Sequence, residues 1–456
     1  MKFRFVPIFA AVTLAWGTSA KAQNLIELYD AAKSYDAVFQ SAKKLFDANF
    51  SKANQSYSGL LPTANLGLTQ SRTAFTLTPD FVGTYTDPIT NLSSKTYTQD
   101  RFFGTRTTTL SATQPLYRPA NLETFNQSRL QIEQSAAQLE AAAQDLLVRV
   151  SQAYFDVLAS QDNFTFIKAQ KTAVFEQLAS AKRNFEVGTA TITDTREAQA
   201  RYDLVIAQEI SAENDLRVKK IALDQLVGRM GTNPKPLNAS INLPKLQQNE
   251  LDDWVSKSEV SHPSVMQAKF SLDIAKLEIK KAIALHKPTI DLQLSSTAQI
   301  NYDGGATNAY NNKTLAQAAA VVMNLPIFAG MSTQNRIRET VSLEEKAQSD
   351  FESSKRTVAQ ATRTAFFGVL SGVGQVKAFE AAENSSQVAL DANKLGYSVG
   401  VRINIDVLNS QSQLFETKAK LAKARYDVLV GDLKLRQASG TLKAEDLQTI
   451  NQLLAP

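Results

Sequence analysis

The sequence predicts an α plus transmembrane-β protein built from two internal repeats, each carrying two amphipathic strands and one very long helix. Three observations carry that prediction. Two stretches, Phe185–Gln199 (FEVGTATITDTREAQ) and Gly396–Gln411 (GYSVGVRINIDVLNSQ), read as the same tight turn between helices. From Pro119 to Phe185 there is no glycine and no further proline, an unbroken helical run of about 100 Å. Segments opened by Pro62 and Pro288 alternate apolar and polar residues, the period of a strand with one apolar face.

Composition sets the outer bounds. Lys2 and Arg4 precede an apolar run from Phe5 to Trp16, and Ala20-Lys21-Ala22 offers a small-x-small cleavage site. A signal peptide over 1–22, cleaved near Ala22, is therefore expected, the run being too short to span a bilayer. The 456 residues contain no cysteine, so an exported chain must hold itself together without disulfides and has no cysteine for lipid anchoring. Subtracting Lys2, Arg4 and Lys21 from the formal charge of +5 leaves +2, which makes no case for nucleic acid as a partner. After Gln23 no apolar stretch is long enough for a membrane helix, so any crossing is by β-strands. The two histidines, His262 and His286, accompany no phosphate loop and no paired-carboxylate motif. No catalytic residue, cofactor or metal is expected; the chain does not read as an enzyme.

The first repeat covers 23–235. Asn24 to about Ser58 is a helical pattern without a breaker. Strands follow at about 62–77, with Ala64, Leu66 and Leu68 on one face, and 105–117, with Leu110, Ala112 and Leu116. A polar loop, Thr78 to about Arg101, separates them. The long helix, 119–186, spaces Ile132, Ala136, Leu139, Ala143, Leu146, Val150, Ala153 and Val157 by alternating fours and threes. A seven-residue repeat sustained that far means a supercoiled helix packed along its length. Gly188 stops it, Thr193 or Asp194 caps the return helix 194–228, and Gly228 ends that.

A proline-rich connector, placed at 236–252, leads to the second repeat, 253–456. It holds a helix restarting at Ser261-His262-Pro263, strands at about 288–302 and 314–327, a long helix 331–395 and a return helix 406–440. Gly368, Gly372 and Gly374 lie inside this long helix, so its middle is expected to be weaker and to bend. The pairs Gly188/Gly400, Asp194/Asp406 and Gly228/Gly440 are each 212 residues apart, the spacing of a duplication.

Four strands cannot close a barrel, and open edges are not tolerated in lipid. The chain must therefore oligomerise, and a trimer supplies twelve strands. In each repeat the two shorter helices together match the long one in length, so a ring of such rods forms a tube. A diffusion porin has no use for helices this long, and a purely periplasmic coiled coil has no use for the strands.

The segments GYSVGVRINIDVL, QLFETKAKLAKARYDVL and QASGTL, with FEVGTATITD and the proline-opened strands, resemble the TolC-type outer-membrane efflux channels, in their unlipidated branch. The resemblance runs from about Asn24 to about Leu453. It implies a homotrimer whose twelve-stranded barrel, four strands per protomer, sits in outer-membrane lipid and continues into a long periplasmic α-helical barrel. It implies an exit duct for efflux or type I secretion, working with a periplasmic adaptor protein and an inner-membrane transporter of ABC, RND or MFS type. It further implies a gate latch in which Tyr397 and Arg402 bond to Thr193 and Asp194, within and between protomers, with Arg425 as a further member. Asp406 would contribute to a pore-facing carboxylate ring; a second ring in the family falls on Asn409 here, an amide. The turns Val187-Gly188-Thr189 and Val399-Gly400-Val401 are implied as adaptor contacts.

Overall fold

The structure is a computed structural model that describes residues 22–78, 83–90, 93–96, 99–238, 247, 250–304 and 310–455. The expected signal peptide lies outside the described residues, as do parts of the first strand-to-strand loop and of the central connector. The chain divides into two compact units. One gathers Met1–Phe46, Ser135–Ala268 and Phe351–Pro456; the other gathers Asp47–Gln134 and Lys269–Asp350.

The second of these units contains a four-stranded antiparallel sheet of β1 (Thr63–Leu77), β4 (Gln99–Tyr117), β5 (Thr289–Tyr302) and β6 (Asn312–Asn324), in the order β1-β4-β5-β6. A separate two-stranded ribbon, β2 (Gly83–Thr86) with β3 (Ser93–Thr96), occupies part of the stretch expected to be loop. β4 begins before the expected position because its first residues find partners: Phe102 and Phe103 lie opposite Ala74 and Thr73. The registers align one row Ala64–Ala112–Leu294–Ala319 and another Leu68–Thr108–Ala298–Leu315 on the same face. The row between them, Asn65–Ser111–Ser295–Ala318, and the row Thr69–Thr107–Gln299–Thr314 line the opposite face. One face is thus aliphatic and the other largely hydroxyl and amide. Prolines mark equivalent places in the two return strands. Pro115 coincides with a register shift in β4, and β6 ends at Asn324, short of Pro326, since proline donates no ladder bond.

Near the strand ends, polar clamps join neighbouring segments within this unit. Arg118 makes a two-pronged pair with Asp291, at 2.8 and 2.7 Å. Asn121 donates to the Gly59 carbonyl at 2.6 Å. Glu278, on α6 (Pro263–Ala284), accepts from Gln127 at 2.8 Å and from Arg336 at 2.7 Å.

The helical unit is organised by α3 (Pro119–Glu186) and α7 (Ser332–Ser398), which contribute to both units, with α1 (Leu25–Tyr35), α4 (Ile192–Val227), α8 (Asn404–Ala438) and α9 (Asp446–Asn451). The expected heptad stripe of α3 is buried at Leu146, Val150 and Val157, but Leu147, Tyr154, Phe155 and Leu158 are buried as well. The reason is local: here α3 is surrounded by α1, α4 and α8 in one aliphatic cluster rather than facing a single partner. Tyr154 keeps its hydroxyl satisfied by donating to the Lys235 carbonyl at 2.8 Å.

One expectation is corrected in this unit. The first helix is not continuous but breaks at Asp36, between α1 and α2 (Ala37–Tyr57). Asp36 is buried, accepts from the Phe39 amide at 2.8 Å as a cap for α2, and is gripped by both terminal nitrogens of Arg149 at 3.0 and 3.1 Å. A long-range ion pair, invisible to local propensity, selects the break.

Candidate functional site

The two tips lie within the helical unit, and they are built identically at the backbone. In the first, the amides of Thr189 and Ala190 both donate to the Asn184 carbonyl, at 2.8 and 3.1 Å. In the second, those of Val401 and Arg402 both donate to the Gly396 carbonyl, at 2.9 and 3.1 Å. Gly188 and Gly400 take φ of +79° and +76°, the left-handed conformation that lets the chain leave a helix and satisfy its last carbonyls. Val187, Val399, Val401 and Ile403 project outward from these turns and are exposed.

The caps of the return helices differ. α4 is capped by Thr191, not by Thr193 or Asp194. Thr191 and Asp194 form a reciprocal box: the Asp194 amide donates to Thr191 Oγ1 at 3.2 Å, and Asp194 Oδ2 accepts from the Thr191 amide at 2.9 Å. Ile403 stands at the matching place in the second tip, where α8 has no side-chain cap. Asp406, the counterpart of Asp194, is left free for other use and lies 3.7 Å from Arg402 Nη1, in a partly exposed pair.

Within the protomer the residues of the expected latch make other bonds. Tyr397 accepts from Asn184 Nδ2 at 3.3 Å and packs beside Leu390, Val407 and Leu414. Arg402 faces Asp406, Asp194 serves its own helix, and Thr193 lies in the first turn of α4. The intraprotomer half of the expected latch is therefore not formed in this conformation. Arg425 is not at the tip at all. It sits roughly 30 Å along α8 from Asn404 by helical rise, and bridges to Glu380 of α7 at 2.8 Å.

Instead, a set of polar side chains, all uncharged except Arg201, ties the second tip to the first repeat. Asn404, fully buried, accepts from Gln177 Nε2 at 2.5 Å and donates to the Asp194 carbonyl at 3.4 Å. Asn409 accepts from Arg201 at 2.7 Å, and Gln170 donates to Ser412 at 3.3 Å. Leu408, one turn beyond Asn404, is buried against Val174, Leu178, Ala181, Ala198 and Val205 of α3 and α4. Asn404 was missed in the sequence because the residues on either side, Ile403 and Ile405, make it look like a lapse in an apolar run. Its spacing of four from Leu408 was the available signal. His262 takes a structural place, its imidazole Nδ1 accepting from the Ser264 amide at 3.1 Å where α6 starts, and His286 is exposed in the turn after α6.

A duplicated helical hairpin and a four-stranded sheet with one aliphatic face are the parts expected of an outer-membrane channel protomer, and among the described residues no helix is long and apolar enough to cross a membrane. The comparisons give the family. The model for "Outer membrane efflux protein" matches residues 28–229 and 254–441, and the chain belongs to that family, a family of channels of the outer membrane and not of enzymes. It is 29% identical over 449 residues to the outer membrane protein TolC of Vibrio cholerae, covering 98% of each chain. It is 27% identical over 448 residues to the alkaline protease secretion protein AprF of Pseudomonas aeruginosa, covering 97% of this chain and 90% of that one. Among solved structures, VceC of Vibrio cholerae superposes with a TM-score of 0.71 at 17% identity, over 91% of this chain and 96% of that one. The open-state MtrE channel of Neisseria gonorrhoeae gives 0.72 at 18% identity, over 92% and 90%. At these identities the structural likeness shows the shared fold.

Proposed function

We propose that this chain is one protomer of a trimeric exit duct that carries cargo passively out of the cell, with a gate at the periplasmic tips. The observation that carries the reading is the sheet. Its outer strands β1 and β6 each pair on one side only, and on its aliphatic face Leu66, Leu68, Leu315 and Val321 are each about two-thirds exposed. Water does not favour such a face and lipid does. Lipid in turn does not tolerate the open edges, and three copies joined edge to edge remove both problems in a twelve-stranded barrel.

The tips supply the other half. The exposed valines at Val187, Val399 and Val401 surround glycines with open space beside them, a shallow apolar knob suited to an adaptor. Thr193, Asp194, Tyr397 and Arg402 form the latch between neighbouring protomers; in its support, Arg402 is exposed in the turn before α8 and Asp194 is only half-buried at the start of α4. An arginine fork between carboxylates is strong when water is excluded and weak when solvated, which suits a reversible catch. Asp406 faces the pore as the single carboxylate ring, Asn409 being engaged by Arg201. The adaptor breaks the catch, the α7–α8 pair untwists, and an inner-membrane transporter of ABC, RND or MFS type provides the energy. Relatives named for efflux and for protease secretion both occur, which supports a duct whose cargo is chosen by the pump.

The test is single-channel recording in planar bilayers. Tyr397→Phe combined with Arg402→Ser raises the resting conductance. A wild-type channel that is already wide open, and is indifferent to this pair of changes, means a plain diffusion pore.

A further inference from the structure

We infer that Asn404 is the positioning residue that pins the gate's moving helix pair to the first repeat. The inference rests on the gated-duct reading above and adds the intraprotomer contact that sets the closed state. Asn404 is the first residue of α8, fully buried, and the only bonds its side chain makes cross to the first repeat: Gln177 on α3 and the Asp194 carbonyl on α4. It thus spends both ends of its amide on two different helices at once. An uncharged amide in an apolar setting discriminates strongly by position, because a shift of one residue leaves donor and acceptor unpaired.

The surroundings amplify this. Leu408 lies one turn on in the same seam and is fully buried among α3 and α4 side chains, so water does not compete for the Asn404 bonds. The Arg201–Asn409 bond is of the opposite kind, exposed to solvent, and contributes little by comparison. The charged pair in this tip, Arg402–Asp406, joins the turn to the first turn of α8 and reaches no residue of the first repeat. The inter-repeat bonds Gln170–Ser412 and Asn184–Tyr397 each join two helices, whereas the fully buried Asn404 joins α8 to both α3 and α4.

The experiment uses the full-length protein in planar bilayers. Asn404→Ala and Gln177→Ala break the same bond from opposite sides. Each is expected to raise the open-to-closed ratio roughly tenfold, equivalent to about 1.4 kcal/mol. Asn404→Ala also gives up the bond to the Asp194 carbonyl, so the double variant is expected to match Asn404→Ala and not to exceed it. Asn404→Asp separates pinning from mere packing. Its carboxylate still accepts from Gln177 but opposes the Asp194 carbonyl, so the channel leaks at neutral pH; protonation restores a donor, and acidification closes it again. Asp194, Arg402, Asp406 and Arg201 surround the site equally in the wild type, whose own pH profile is subtracted.

Two results overturn the inference: resting conductance unchanged in both alanine variants while Tyr397→Phe/Arg402→Ser opens the channel, or single effects that multiply in the double variant. If Asn404→Ala fails to assemble, Gln177→Ala, on the half-buried side of α3, decides alone. If Tyr397→Phe/Arg402→Ser also leaves conductance unchanged, the gate reading itself falls, and the pin with it.

Discussion

Three glycines in α7 offer a sharp test, because one residue type in one helix is expected to give opposite signs. A Cβ added at Gly372 would lie 2.9 Å from Val428 Cγ2 of α8, and Val428 is buried. Carbon atoms prefer about 3.5–4.0 Å, so the helices must part by roughly 0.6–1.1 Å or Val428 must leave its rotamer. Overpacking of this kind costs about 1–3 kcal/mol, against a gain of about 1 kcal/mol in helix propensity on replacing glycine by alanine. Gly372→Ala is thus destabilising by about 1 kcal/mol. At Gly368 and Gly374 the added Cβ meets nothing within 4 Å, and the same substitution stabilises by up to about 1 kcal/mol. The expected separation is about 2 kcal/mol between neighbours on one helix.

Denaturant unfolding of the detergent-solubilised protein, followed by far-ultraviolet circular dichroism, measures the difference. Val428→Ala supplies the control: it removes the methyl group that the new Cβ would strike, so Gly372→Ala becomes stabilising in that background. Equal destabilisation with and without Val428, or one sign for all three glycines, refutes the assignment of Gly372 as a close-contact notch. The helix itself runs unbroken from Ser332 to Ser398. In this conformation the glycines thus serve inter-helix approach at Gly372 rather than a break in the helix.

Two further outcomes are expected from the same preparation. Arg149→Ala leaves the buried Asp36 carboxylate without its two-pronged partner and costs about 2 kcal/mol at neutral pH. The Arg149 hydrogen bonds hold Asp36 below the ordinary carboxylate range, so their stabilisation is present above the unfolded-state pKa and fades as pH falls through the lowered one. Wild type and variant should therefore converge in acid; a gap that persists there contradicts the pairing. Gln411→Leu replaces a buried amide whose Oε1 has no partner by an apolar side chain of similar size, and is expected to stabilise by about 1 kcal/mol. A lowered unfolding midpoint would mean the amide is satisfied after all.

Much of this architecture was legible in the sequence because it is written in local rules. Gly188 and Gly400 need the left-handed conformation, Pro326 forbids a ladder bond, and the alternation around Leu66 and Leu294 sets the faces of the sheet. What stayed hidden depends on residues distant in the chain. Asp36 breaks a helix only because Arg149 reaches it, and Tyr154 and Phe155 are buried only because several helices converge there. The resemblance singled out two turns whose backbones are alike. It did not reveal that Asp194 is occupied by Thr191, or that Arg425 braces α7 against α8.

The two tips share one backbone and differ at one decisive position, Thr191 against Ile403. A hydroxyl cap typically contributes about 1 kcal/mol to the helix that carries it, and it does so without help from any other element. The start of α4 is therefore stable whether or not α8 touches it. The start of α8 has no such cap; its first turn is held by Asn404, Val407 and Leu408, all of them buried against neighbouring helices. When the contact between repeats is broken, α4 keeps its end and α8 loses the principal support of its own. On the gated-duct proposal, a duplicated hairpin in which one copy caps itself and the other borrows its anchorage is suited to have one fixed and one movable half. Restoring the hydroxyl with Ile403→Thr makes the second tip resemble the first. It should leave the closed channel intact while weakening the dependence of α8 on Asn404, so that Asn404→Ala opens the duct less in that background than alone. An equal opening in both backgrounds would show that the missing cap has no part in making this half the one that moves.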